Sequence, residues 1–128
     1  MKELTKAEEQ VMQVLWTIEK GVVNDMLHQF DNPKPAYNTV STIVRILEKK
    51  GFVGHKAYGK THEYFPLVSK GEYTKKYFGS FMTNYFSNSY KALASFLAND
   101  KKVSIEDLEE MKLMMEKEIN KQKGRGNG

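Results

Sequence analysis

Residues 36 to 67 read AYNTVSTIVRILEKKG and then FVGHKAYGKTHEYFPL, and this succession constrains the fold more than any other feature of the chain. In the first half, Val40, Ile43, Val44 and Leu47 recur at helical spacing, which predicts a helix over 37–50 with one apolar stripe. Gly51 stops it. In the second half, two strand-favouring runs, Phe52 to Ala57 and Thr61 to Pro66, flank Tyr58-Gly59-Lys60. That is the pattern of a β-hairpin, with His62 and Tyr64 on one face of its second strand and Glu63 and Phe65 on the other.

The wet side of the helix is unusual. Surface helices mix Glu with Lys, but this face carries Asn38, Ser41, Thr42, Arg45 and Lys49, with Lys50 just before the glycine and Glu48 as its only acid. Short hydrogen-bonding side chains and cations are the groups that reach base edges and phosphates without crowding a DNA groove. The charge distribution points the same way. Net charge is +4, yet Arg45 to Lys76 holds eight basic residues against three acids, while Val103 to Ile119 holds six acids against two lysines. A chain that concentrates positive charge in one segment presents a basic surface to something anionic.

The flanking segments complete the architecture. Thr5 with Glu8 forms a capping box that opens a helix carrying Ala7, Val11, Leu15 and Ile18, ended by Gly21. Val22 and Val23 suggest a short strand pairing, and Asn24 can cap a second helix with Met26, Leu27 and Phe30. A turn rich in breakers, Asp31 to Pro35, leads to the helix described above. Three helices followed by a two-stranded hairpin make a winged helix-turn-helix, in which the third helix lies in the major groove and the hairpin, or wing, sits beside the backbone. The expected fold is mainly α, with a winged helix over 1–68, a helical dimerisation region over 69–122 and a disordered tail over 123–128.

The second region opens at Ser69 with a stretch dense in aromatics, broken near Asn88-Ser89, and closes with a helix capped by Ser104 and Asp107. Tyr77, Phe78, Phe81, Phe86, Tyr90, Leu93 and Leu97 line the first part, and Leu108, Met111 and Met115 the last helix. A few short helices cannot bury that much apolar surface alone, so a second copy of the chain is the expected cover. The acids Glu106, Glu109, Glu110 and Glu116 form a solvated face on the last helix.

Other functions lack their parts. Without cysteine the chain has no disulfide or thiolate metal site, and His28, His55 and His62 show no metal-ligand spacing. His55, beside Lys56, is instead a candidate phosphate contact. No nucleophile with a supporting base, no glycine-rich phosphate loop and no HExxH motif is present, so neither an enzyme nor a cofactor is expected. The polar N-terminus and the lack of an apolar run near the ~20 residues that span a bilayer lead to the expectation of a cytoplasmic protein without membrane insertion.

Three stretches carry a resemblance to a known family: LTKAEEQVMQVLW, PAYNTVSTIVRILEKKGFV and the wing YGKTHEYFPLVSKGEY with its Gly-basic-x-x-x-Tyr-x-Pro pattern. In order, they resemble the BlaI/MecI family of penicillinase repressors, which also includes copper-responsive repressors of the CopY type. The resemblance implies a homodimer that binds a palindromic DNA operator through the winged helix. It places Tyr37, Asn38, Thr39, Ser41 and Thr42 at the opening of the recognition helix and Lys56, Tyr58 and Lys60 in the wing. It also implies release by cleavage in the C-terminal helices, downstream of a membrane sensor protease. Two departures stand out. Ile46 occupies the position of the family's usual Arg, with Arg45 turned about 100° away around the helix. The usual Asn-Phe cleavage bond reads Ser95-Phe96. The cysteine cluster of the copper-responsive branch is missing altogether. Two other readings remain open at this point: control by a ligand instead of proteolysis, and a winged helix used to dock another protein.

Overall fold

The computed structural model describes residues 2–126. Its order is α1 (Lys6–Ile18), α2 (Val23–Leu27), α3 (Tyr37–Lys49), β1 (Val53–Tyr58), β2 (Thr61–Pro66), α4 (Lys70–Phe86), α5 (Tyr90–Asn99) and α6 (Ile105–Gly126). Three helices and an antiparallel hairpin form a winged helix, as the sequence led us to expect.

The capping box at the start of α1 is formed in full: Thr5 Oγ1 accepts from the Glu8 N–H at 3.2 Å and Glu8 Oε1 accepts from the Thr5 N–H at 2.9 Å. Val11, Met12, Val14 and Leu15 are buried, whereas Ala7, expected on that stripe, is exposed; Leu4 covers this end of the core instead. The helix stops earlier than Gly21. Glu19 takes a positive φ (71°) and donates its N–H to the Leu15 carbonyl at 2.7 Å.

Gly21 has another task. It exchanges two backbone hydrogen bonds with Tyr64, at 3.0 and 2.8 Å, and so supplies the single strand pairing expected at Val22 and Val23. A Cβ at Gly21 would lie 2.9 Å from Ile18 Cδ1. Val23 is helical instead, and the α2 N-terminus is tied by Asp25, whose carboxylate accepts from the Val22 N–H at 3.2 Å, rather than by Asn24.

α3 buries Val40, Val44 and Leu47 and ends at Lys49, one residue short of the expected end, before Gly51 at φ 85°. The hairpin register runs from Val53 opposite Pro66 to Tyr58 opposite Thr61, so the loop is just Gly59-Lys60. Gly59, at φ 64°, provides the backbone conformation that such a tight loop needs.

The core of this unit joins α1, α2, α3 and the hairpin to Tyr73 of α4. Tyr73 packs near Trp16 and Phe52 (ring centroids 5.8 and 6.0 Å), and its hydroxyl accepts from the Leu4 N–H at 3.1 Å. Burial pushes the Tyr73 hydroxyl above its usual range. The first compact unit therefore extends to Gly79, past the boundary expected after residue 68, because the opening turns of α4 belong to this core.

The unit from residue 80 holds the end of α4, α5 and α6. Ser87 and Asn88, both at positive φ, end α4, and Ser89 Oγ caps α5 by accepting from the Ala92 N–H at 3.0 Å. Ser104 and Asp107 cap α6 reciprocally. The tail expected to be disordered from 123 continues α6 through Gly126: Lys123 and Arg125 stand in the last turn, where cations complement the helix C-terminus. Residues 127 and 128 lie outside the described residues. Among the described residues no helix is long and apolar enough to cross a membrane.

Candidate nucleic-acid interface

The face of α3 turned away from the core presents Tyr37, Asn38, Thr39, Thr42, Arg45 and Lys49 to solvent, with Ile46 among them. Val40, Val44 and Leu47 fix this orientation, since burying one stripe turns the opposite one outward. Ser41 does not share the exposure. It is buried, and its Oγ accepts from Arg45 Nη2 at 2.9 Å while its carbonyl accepts from Arg45 Nε at 3.3 Å. Ser41 therefore holds the arginine. The spacing of four residues was the available signal for this latch.

The charges around α3 are sorted between core and surface. Lys50 turns inward: its Nζ lies 2.8 Å from both carboxylate oxygens of Glu8, so it is an internal tie rather than a surface cation. Burial pushes the Glu8 carboxyl up, but donors from Lys50 and Thr5 and the lysine charge outweigh it and hold the group below its ordinary value. Glu48, the one acid on the helix face, pairs with His55 Nδ1 at the root of the wing. His55 also stacks on His62, with ring centroids 4.2 Å apart and planes 9° apart, so its imidazole is engaged within the protein.

At the tip of the wing, Lys56 Nζ lies 5.3 Å from the ring centroid of Tyr58, which is 54% exposed, and Lys60 stands in the loop. Beneath it Tyr64 is buried; burial and the Glu48 charge push its hydroxyl up, against the pull of Arg45. Of the sequence-nominated DNA contacts, the structure gathers Tyr37, Asn38, Thr39, Thr42, Arg45 and Lys49 on one helix face, with Lys56, Tyr58 and Lys60 on the adjoining hairpin. Ser41 and His55 are occupied internally.

The residues nominated for dimerisation divide. Tyr77 packs on the winged-helix core, 4.6 Å from the Tyr73 ring. Phe78 and Phe81, both 42% exposed, lie further along α4; Phe86 approaches Phe96 and Phe81, at 5.8 and 5.6 Å. Tyr90 is exposed and Leu93 half-buried. Leu97, Leu108, Met111 and Met115 line one apolar groove of about 370 Å³ between α5 and α6. Ser95 and Phe96 lie within α5, both exposed, with the Ser95 carbonyl accepting from Asn99 Nδ2 at 2.8 Å. Among the described residues no group of three His, Cys, Asp or Glu is placed to hold a metal ion.

The family model of the penicillinase repressor matches residues 4–117. The chain belongs to the penicillinase repressor family. It is 23% identical over 116 residues to the methicillin resistance regulatory protein MecI of Staphylococcus aureus (strain N315), covering 90% of this chain and 94% of that protein. With the penicillinase repressor of Bacillus licheniformis it shares 24% identity over 123 residues, 94% of this chain and 95% of the relative. The fold is shared with the crystal structure of a possible transcriptional regulator for arsenical resistance, at TM-score 0.52 and 17% identity over 77% of this chain and 99% of that one. The chain is thus a transcriptional repressor by family, built on a winged helix, rather than an enzyme.

Proposed function

We propose that the protein acts in the cytoplasm as a homodimer on a palindromic operator, with α3 in the major groove and the hairpin along the backbone. The observation that carries the DNA half is the exposed α3 row from Tyr37 to Lys49, whose one carboxylate, Glu48, is turned to His55. Asn38, Thr39 and Thr42 read base edges in this arrangement; Lys49, Lys56 and Lys60 neutralise phosphates. The dimer is supported by the composition of residues 80–125, in which Met82 is the sole buried side chain. Helices with so little interior need a partner, and the α5–α6 groove, lined by Leu97, Leu108, Met111 and Met115, offers an apolar face for a second copy. Release follows cleavage of the exposed Ser95-Phe96 bond by a protease downstream of a membrane sensor.

Sedimentation of the purified chain, alone and with a duplex of its own promoter region at two salt concentrations, tests this reading. The expected result is a dimer that forms a discrete complex at low salt and loses it steeply as salt rises, because phosphate contacts release counterions. A monomer, or a complex indifferent to salt, would refute the corresponding half.

A further inference from the structure

A cleft of about 360 Å³ opens between α3, β2 and the residues that begin α2. No carboxylate lines it. Arg45 stands on its helix wall and Lys60 on its hairpin wall, with Tyr37, Thr61, His62 and Asn24 supplying further polar groups between them. Among the described residues neither cation has an acid within ion-pair distance.

Arg45 is aimed rather than free. Ser41 takes two of its five N–H donors, one on Nε and one on Nη2, and so fixes the plane of the guanidinium. The donors left are a fork, the geometry that grips the oxygens of a phosphate, and the arginine no longer has the reach of an extended base reader. When a recognition helix occupies the major groove and a wing lies beside the backbone, the sugar–phosphate strand bordering that groove crosses the space between helix and wing.

We propose that this cleft is a seat for a single phosphate group, gripped by Arg45 and Lys60: a backbone phosphodiester in the operator complex, and free phosphate when DNA is absent. The DNA source rests on the docking reading above; the seat itself does not. Arg45 then contributes affinity and register, and discrimination between sequences falls to Asn38, Thr39 and Thr42. Inorganic phosphate also acts on this repressor as a competitor, beyond its share of ionic strength.

The test uses the full chain and inorganic phosphate, with chloride at matched ionic strength as the control. Amide and side-chain resonances are followed by NMR, and binding of promoter DNA by fluorescence anisotropy. The expected result is a saturable phosphate shift at Arg45, Lys60, Thr61 and His62, reversed by adding DNA, and weaker DNA binding in phosphate than in chloride. Arg45→Gln, at an exposed position, should keep the dispersed spectrum of the folded protein and lose both effects. Small shifts spread over all surface lysines, or an Arg45→Gln variant with the wild-type phosphate response, overturn the seat even while DNA binding persists. Saturable phosphate binding that DNA fails to displace keeps the seat and overturns the placement of a backbone strand across it.

Discussion

Residues 2–79 and residues 80–126 are both mostly helical, but they meet water on different terms. Among the described residues, all buried apolar side chains except Met82 belong to the first stretch, where Leu15, Met26, Val44 and Phe52 share one core. In the second, Leu113, Met114 and Met115 are more than half exposed on α6, and α5 buries no residue at all. Secondary structure alone does not make a domain. The amphipathic faces of the first stretch close on one another in a single core. The second is formed by sound local rules, with caps at Ser89, Ser104 and Asp107, yet leaves its apolar faces to be covered.

That contrast is open to direct attack. The largest effect should come from Leu15→Ala, which opens a cavity in the closed core and should cost about 2–5 kcal/mol in urea unfolding followed by Trp16 fluorescence. Next is Met111→Lys. It should leave that transition almost unchanged, but weaken self-association by roughly a hundredfold, read by sedimentation equilibrium, as a charge is forced into an apolar contact. If Met111→Lys lowered the urea midpoint as Leu15→Ala does, the two regions would be one cooperative unit and the contrast would fail.

The tie between Glu8 and Lys50 sharpens the picture of the closed half. The Glu8 carboxyl is held below its ordinary value of 4.5 when folded, so its contribution is in force above that value and disappears as pH falls through the folded one. Stability of residues 2–79 should therefore decline on acidification below the ordinary carboxylate range. Glu8→Gln should cost about 1–3 kcal/mol near neutral pH and flatten that decline. At the interface, Asn38→Ala should reduce preference for operator over random DNA by about 1–3 kcal/mol in competition binding; equal loss on both DNAs would assign Asn38 to the phosphates. The smallest change is Gly59→Ala, about 1 kcal/mol in the same urea assay, from forcing a side chain into the left-handed region.

The parts of the fold legible from sequence were those governed by neighbours along the chain. Thr5 and Glu8, the α3 stripe and the hairpin around Gly59 all satisfy themselves within a few residues, and spacing reveals them. What escaped was set by distance. Glu8 reads as a cap, and nothing local says that it also takes Lys50, 42 positions away. Gly21 reads as a helix stop because its pairing with Tyr64 needs the hairpin folded back. The candidate interface shows the same division: the exposed α3 row followed from its period, while Ser41 looked outward on a wheel but is buried beneath Arg45. The end of α6 differs from expectation over 123–126 for another reason. A terminal position favours disorder, yet Lys123 and Arg125 complement the helix end where they stand.

The hydrogen-bonded pair between Gly21 and Tyr64 has a further consequence. An isolated two-stranded ribbon is marginally stable in water and free to swing, but this one is pinned near its base to the α1–α2 junction, while His55 of β1 is pinned to Glu48 of α3. In the proposed complex, helix and ribbon are the two jaws of a caliper that cannot open to suit its workpiece. The DNA must do the adjusting, and stretches whose grooves already have the right width need the least bending or narrowing. The repressor would thus sort promoters partly by their stiffness and shape, at base pairs that none of its side chains reaches.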